Sequence, residues 1–127
     1  MLVVNTRSMV PSILPKDVML VEKVSPVLKR IFHLPVAQSG DVIFFTAPQR
    51  MQDYISTNRL QQIQPGSLIV KRVRSVEQGE NGECFDVRGD FPSVSVDSRD
   101  WGLLSEKNVI GRPILRVFPP ARVGLVK

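Results

Sequence analysis

Apolar positions along this chain come in short runs, rich in Val and Ile, that ten prolines and eight glycines separate from one another. Punctuation of that kind favours strands over long helices. Val18 to Val24 (VMLVEKV), Asp41 to Thr46 (DVIFFT), Ser67 to Val76 (SLIVKRVRSV) and Cys84 to Arg88 (CFDVR) read as strands. Val109 to Phe118 (VIGRPILRVF) reads as one or two more, interrupted at Pro113, whose missing N–H cannot join a ladder. The predicted fold is therefore mainly β: a single compact domain over residues 1–127, built from short, mostly antiparallel strands, with no internal repeat and no low-complexity segment.

Two segments break the strand pattern. In SPVLKRIFHLP, Ser25 is a candidate N-cap and Pro26 suits the first helical position, with Val27, Leu28, Ile31 and Phe32 on one face and Lys29 and Arg30 turned away. The plain reading is a short helix or loop packed on the core; the functional one is a basic amphipathic element lying on a membrane surface. The second segment, PQRMQDYISTNRLQQIQPG, is polar and rich in glutamine, and is expected to be a mobile excursion or a short helix between strands.

Composition narrows the chemistry. With Cys84 the only cysteine and His33 the only histidine, an internal disulfide is impossible and a structural zinc site is nearly excluded. Neither residue sits in a motif for Cys–His catalysis, and no metal or cofactor is expected. The net charge of +5 is spread from Arg7 to Lys127, so solvated surface is the plain reading and attraction to an anionic membrane the weaker one; no nucleic-acid partner is expected. No run approaches the roughly 20 apolar residues that cross a bilayer, and the seven residues before Ser8 are too few for a cleavable leader, so the expectation is a soluble chain.

A hydrolase needs a nucleophile, a base that activates it and a group that orients the base. Histidine is scarce here, but lysine can serve if its proton is made easy to remove. In SLIVKRV, strand alternation sets Ile69, Lys71 and Val73 on one face and Val70 and Arg72 on the other, which surrounds Lys71 with apolar neighbours. A catalytic lysine must fall from about 10.4 to near 7 or 8, roughly 3 to 5 kcal/mol in favour of the neutral amine. The plain alternative is a lysine that snorkels from a strand edge to water. Downstream, RGDFPSVSVDSRDWG reads as a loop that gathers Asp90, Ser93, Ser95, Asp97, Ser98, Arg99 and Asp100, able to be a solvated turn or a shaped loop held by a carboxylate–guanidinium pair. Trp101 reads as its packing anchor.

In order along the chain, SMVPSIL, KDVMLVEKV, GDVIFF, VKRV, GDFPSVSVDSRDWG and VIGR resemble the motifs of type I signal peptidases, serine endopeptidases with a Ser/Lys dyad. Each motif alone is weak, and the ordered set from Ser8 to Arg112 is strong. The resemblance implies a signal-peptidase or LexA-like β fold and a role for each matching position. Ser8 would be the nucleophile, Lys71 the general base, and Ser95 the residue that orients the Lys71 amine. Asp97 and Arg99 would hold the loop, Asp90 would pair with Arg72, and the oxyanion hole would be the Ser8 N–H with the Thr6 hydroxyl. Met9, Ile13, Ile69 and Val70 match positions that line small pockets, as expected for cleavage of precursor proteins or peptides at small-x-small sites.

The sequence departs from the family at Phe91, in GDF, where an asparagine is usual, and at Lys16, in PKD, where a turn glycine is usual. The family's membrane anchor normally precedes the serine motif, and there is no room for one before Ser8. The expectation is a membrane-associated enzyme if an anchor is missing from this chain, and a cytoplasmic one otherwise. Only seventeen residues separate Lys71 from Gly89, where typical members insert a longer β subdomain. That compactness resembles the peptidases that trim nickel-type superoxide dismutase, while WGLLSEKNVIGRPILRVFPPARVG is similar to the end of chloroplast and cyanobacterial signal peptidases. A catalytically silent binding module on the same fold is the reading from another class, and a self-cleaving LexA-type domain a third. The chain has no helix-turn-helix and no Ala-Gly or Cys-Gly pair, both of which a LexA-type domain would need.

Overall fold

The computed structural model describes residues 2–3, 8–23, 31–32, 36–60, 68–80 and 82–126. The strands are β1 (Leu2–Val3), β2 (Val18–Lys23), β3 (Val42–Thr46), β4 (Leu68–Gly79), β5 (Gly82–Arg88), β6 (Leu104–Ser105), β7 (Val109–Phe118) and β8 (Gly124–Leu125). Helix α1 spans Gln49–Thr57 and the single-turn α2 spans Ser98–Trp101. All strand pairs are antiparallel and form one sheet in the order β1-β2-β7-β3-β4-β5-β6, with β8 added beside β7. The mainly β, antiparallel fold expected from the sequence is the one observed.

The central strand β3 explains why the sheet is buried on both sides. Its residues Val42, Ile43, Phe44 and Phe45 are all buried, with an unbroken apolar run instead of the alternation of a one-sided strand. Ile43 and Phe45 enter one core with Val73, Phe85, Val87, Trp101, Leu104 and Val109. Val42 and Phe44 enter a second core with Met9, Ile13, Met19 and Val70. Helix α1 closes the first core through Met51 and Ile55, which lie one turn apart on the same face. The first half of the polar 48–66 segment is thus helical; its residues 61–66, and most of the 25–35 amphipathic segment, lie outside the described residues.

The run expected to be broken at Pro113 is one strand. Pro113 pairs with Val21 of β2, next to a register shift between Leu20 and Val21. On its other edge β3 pairs at Val109 and Gly111 and β8 at Leu115 and Arg116, so the proline falls between two ladders and no bond is lost. Lys16 adopts φ 74°, the left-handed turn that glycine would fill more cheaply, at a cost of about 1 kcal/mol. Among the described residues no helix is long and apolar enough to cross a membrane.

Gly111 sits where β7 passes between β2 and β3. A Cβ there would overlap the Glu22 carbonyl oxygen, and backbone cannot step aside as a side chain can. Gly111→Ala should destabilise the fold by about 2 kcal/mol or more, read as a lower denaturant midpoint at unchanged m-value.

Candidate active site

Three stretches of chain converge near the start of β4: the turn from Ser8 to Asp17, Lys71 itself, and the loop from Gly89 to Arg99. Lys71 pairs with Ile43 on β3 and is only 4% exposed, so it does not snorkel to water. Burial pushes its amine down from 10.5 to about 8, opposed by the Asp97 carboxylate, helped by Arg99 and opposed again by Asp100. The amine donates to Ser95 Oγ at 3.1 Å. Ser95 Oγ in turn donates to Asp97 Oδ2 at 2.7 Å and accepts the Gly89 N–H at 3.2 Å. With its one proton committed to the carboxylate, the Ser95 oxygen can only accept from Lys71, which turns an N–H toward Ser95 and leaves the lone pair of a neutral amine free to point elsewhere.

Asp97 sets that polarity. Its side chain is fully buried, and burial alone would raise its pKa, yet donors hold it at about 2: the Arg99 guanidinium, the Ser95 hydroxyl and the backbone N–H groups of Gly89 and Arg99. Arg99 grips it through two bonds of 2.9 Å and ties the loop again through the Pro92 carbonyl at 3.2 Å. Asp97 also caps α2 in a capping box with Asp100. Trp101, at the end of that turn, packs on Phe45 with ring centroids 6.2 Å apart, the anchoring role expected of it.

Ser8 is 5% exposed, and its carbonyl accepts the Phe91 N–H at 2.8 Å. Gly89 explains the closeness of the two chains: a Cβ there would overlap Ser95 Oγ and come within 2.5 Å of the Ser8 carbonyl oxygen. Only a residue without a side chain lets Ser8 and the partner of Lys71 occupy the same small region. The expected Asp90–Arg72 pair is also formed, with Arg72 Nε on Oδ1 at 3.0 Å and its terminal nitrogen on Oδ2 at 2.9 Å. Ser12 Oγ donates to the same carboxylate at 2.6 Å, so the pair pins the turn that carries Ser8.

Of the pocket positions, Met9, Ile13 and Val70 come together in the second core, whereas Ile69 packs on the opposite face with the first. Thr6 lies outside the described residues. The sequence reading missed a second clamp on the same turn: buried Asp17 lies 3.0 Å from Arg116 Nε and 3.3 Å from Arg122, and both arginines donate to the Ser12 carbonyl. The only local hint was the acidic residue after the Lys16 turn, since nothing in the sequence tells which distant arginines will meet it. Among the described residues no group of three or more His, Cys, Asp or Glu side chains is arranged to hold a metal.

Comparison with known proteins gives the family of the chain. Residues 1–80 match the family model described as signal peptidase, peptidase S26. The chain is 28% identical over an alignment of 155 residues to a probable signal peptidase I-1 of Synechocystis sp., covering 95% of this chain and 72% of that one. It is 25% identical over 147 residues to a signal peptidase I of Leptolyngbya laminosa, covering 95% of this chain and 70% of the relative. A shorter stretch of 38 residues, 30% of this chain and 10% of the relative, is 47% identical to a probable thylakoidal processing peptidase 2 of Arabidopsis thaliana. No solved structure matches significantly. A serine-type endopeptidase is the class these likenesses define. Within it, the chain belongs to the signal peptidase family, peptidase S26.

The buried lysine has a consequence for stability. Between about pH 8 and 10.5 the unfolded chain holds the Lys71 proton and the folded chain has released it, so stability rises with pH across that window. Lys71→Met should remove the rise and stabilise the protein at pH 7 by up to about 3 kcal/mol, measured as urea midpoints at pH 7 and pH 10.

Proposed function

We propose that this chain is a Ser/Lys endopeptidase that removes N-terminal signal peptides from precursor proteins after small-x-small sites. The observation that carries the reading is the Lys71 amine, buried, pushed down to about 8 and turned by an accept-only Ser95 hydroxyl beside the Ser8 backbone. The relatives named as signal and thylakoidal processing peptidases support the precursor substrate.

In this mechanism neutral Lys71 takes the Ser8 hydroxyl proton as Oγ attacks the scissile carbonyl carbon. The carbonyl π electrons move to oxygen, where the Ser8 N–H and the Thr6 hydroxyl would donate. Collapse of the tetrahedral adduct breaks the C–N bond, and the Lys71 ammonium returns its proton to the leaving amine. Neutral again, Lys71 deprotonates a water that attacks the Ser8 ester, releasing the acid and restoring the hydroxyl. The buried Asp97–Arg99 pair keeps the Ser95 hydroxyl donating to the carboxylate through the cycle, so the amine keeps an acceptor in Ser95 while its lone pair serves the Ser8 hydroxyl.

Ser8→Ala and Lys71→Ala should each cut turnover of an Ala-x-Ala signal-peptide substrate by about 10³-fold or more while the fold persists by circular dichroism. A fully active Lys71→Ala variant would sink the dyad. For the wild type, kcat/KM should climb through an ionisation near pH 8, because only the neutral amine can accept the proton. The same assay separates substrates: preference for a peptide spanning the N-terminal pro-region of a nickel-type superoxide dismutase over a signal peptide would redirect the reading to that maturation. Neither peptide cleaved, with tight binding to liposomes, would favour the silent binding module.

A further inference from the structure

The loop between Gly89 and Ser95 touches the site at both ends and exposes apolar surface at its tip. At one end the Phe91 N–H binds the Ser8 carbonyl at 2.8 Å; at the other, Ser95 accepts the Lys71 amine at 3.1 Å. Between them Pro92–Val94 forms a single 3-10 turn, held by Val94 N–H on the Phe91 carbonyl at 3.2 Å and by Arg99 on the Pro92 carbonyl. Phe91 is 39% exposed and Val94 50% exposed at the tip of this loop. What sets these two apart from other exposed apolar residues of the chain is their place, three residues apart on a loop pinned to the Ser8 backbone and to the partner of Lys71.

We propose that Phe91 and Val94 form an apolar rim that binds an aliphatic or aromatic side chain of the precursor next to the scissile bond, and so set a specificity beyond the two small residues. The inference rests on the Ser/Lys reading above. The occupant follows from continuity: the Phe91 amide binds the carbonyl of the residue proposed to attack the scissile bond, which sets the rim beside a precursor held at Ser8. Met9, Ile13 and Val70 are buried in a different cluster, which separates the rim from the positions expected to select small residues. The rim therefore faces one of three substrate positions: the residue between the two small ones, or the first or second residue after the cut.

The test is a peptide series with the two small residues fixed and either Leu or Asp placed at each of those three positions, cleaved by wild type, Phe91→Asn and Val94→Ser. At one position the wild type should favour Leu over Asp in kcat/KM by about 10-fold or more, and both variants should reduce that ratio about 3- to 10-fold with melting temperature unchanged. Ser8→Ala run in parallel shows that the cleavage belongs to this site. Wild-type cleavage that depends on Ser8, with Leu/Asp ratios identical in all three proteins or with both peptides slowed equally in the variants, overturns the rim and leaves the dyad standing. Cleavage that survives Ser8→Ala overturns the dyad and the rim with it.

Discussion

A lysine amine held out of water is the constraint around which this structure is arranged. Burying Lys71 in a sheet with apolar cores on both faces lowers its proton affinity, but a buried amine with no partner would be costly in either protonation state. Ser95 supplies the partner, Asp97 fixes which way the Ser95 hydroxyl points, and Arg99 makes a fully buried carboxylate tolerable. Even the single turn of α2 belongs to this chain of dependence, since its capping box and the Trp101–Phe45 contact hold Asp97 in place.

The turn bearing Ser8 is held with comparable strictness. It has little secondary structure of its own, and its order comes from two charged clamps that meet at Ser12: Asp90 with Arg72 on one side, Asp17 with Arg116 and Arg122 on the other. A bidentate guanidinium–carboxylate pair fixes direction as well as distance, so the turn is held in orientation as well as position. The β4–β5 hairpin then links Lys71 to Gly89, so the loop that carries Ser95 returns beside the strand that carries Lys71.

Much of the fold was legible because strand periodicity and turn residues act locally. The five runs of β-branched and apolar residues are strands β2, β3, β4, β5 and β7, and the ordered motifs carry the family resemblance in the sequence itself. Strands of two residues, such as β1, β6 and β8, carry no period and were invisible. Pro113 misled for a related reason: whether a missing N–H matters depends on which strand lies alongside, and the sequence does not say where one neighbour stops and the next begins.

The site divides along the same line. By itself the sequence determined which chemical groups the chain owns and that Lys71 shares a strand face with Ile69 and Val73, because two-residue alternation is a property of the backbone. Through the family resemblance it also implied that Asp90 pairs with Arg72 and that Asp97 and Arg99 hold the loop, and the structure has both contacts. Tertiary structure alone decided that Lys71 is buried rather than snorkelling, that Gly89 is the gap through which Ser8 and Ser95 approach, and that Arg116 and Arg122 close on Asp17. Burial and close approach arise between segments dozens of residues apart, and only the packed sheet sets those distances.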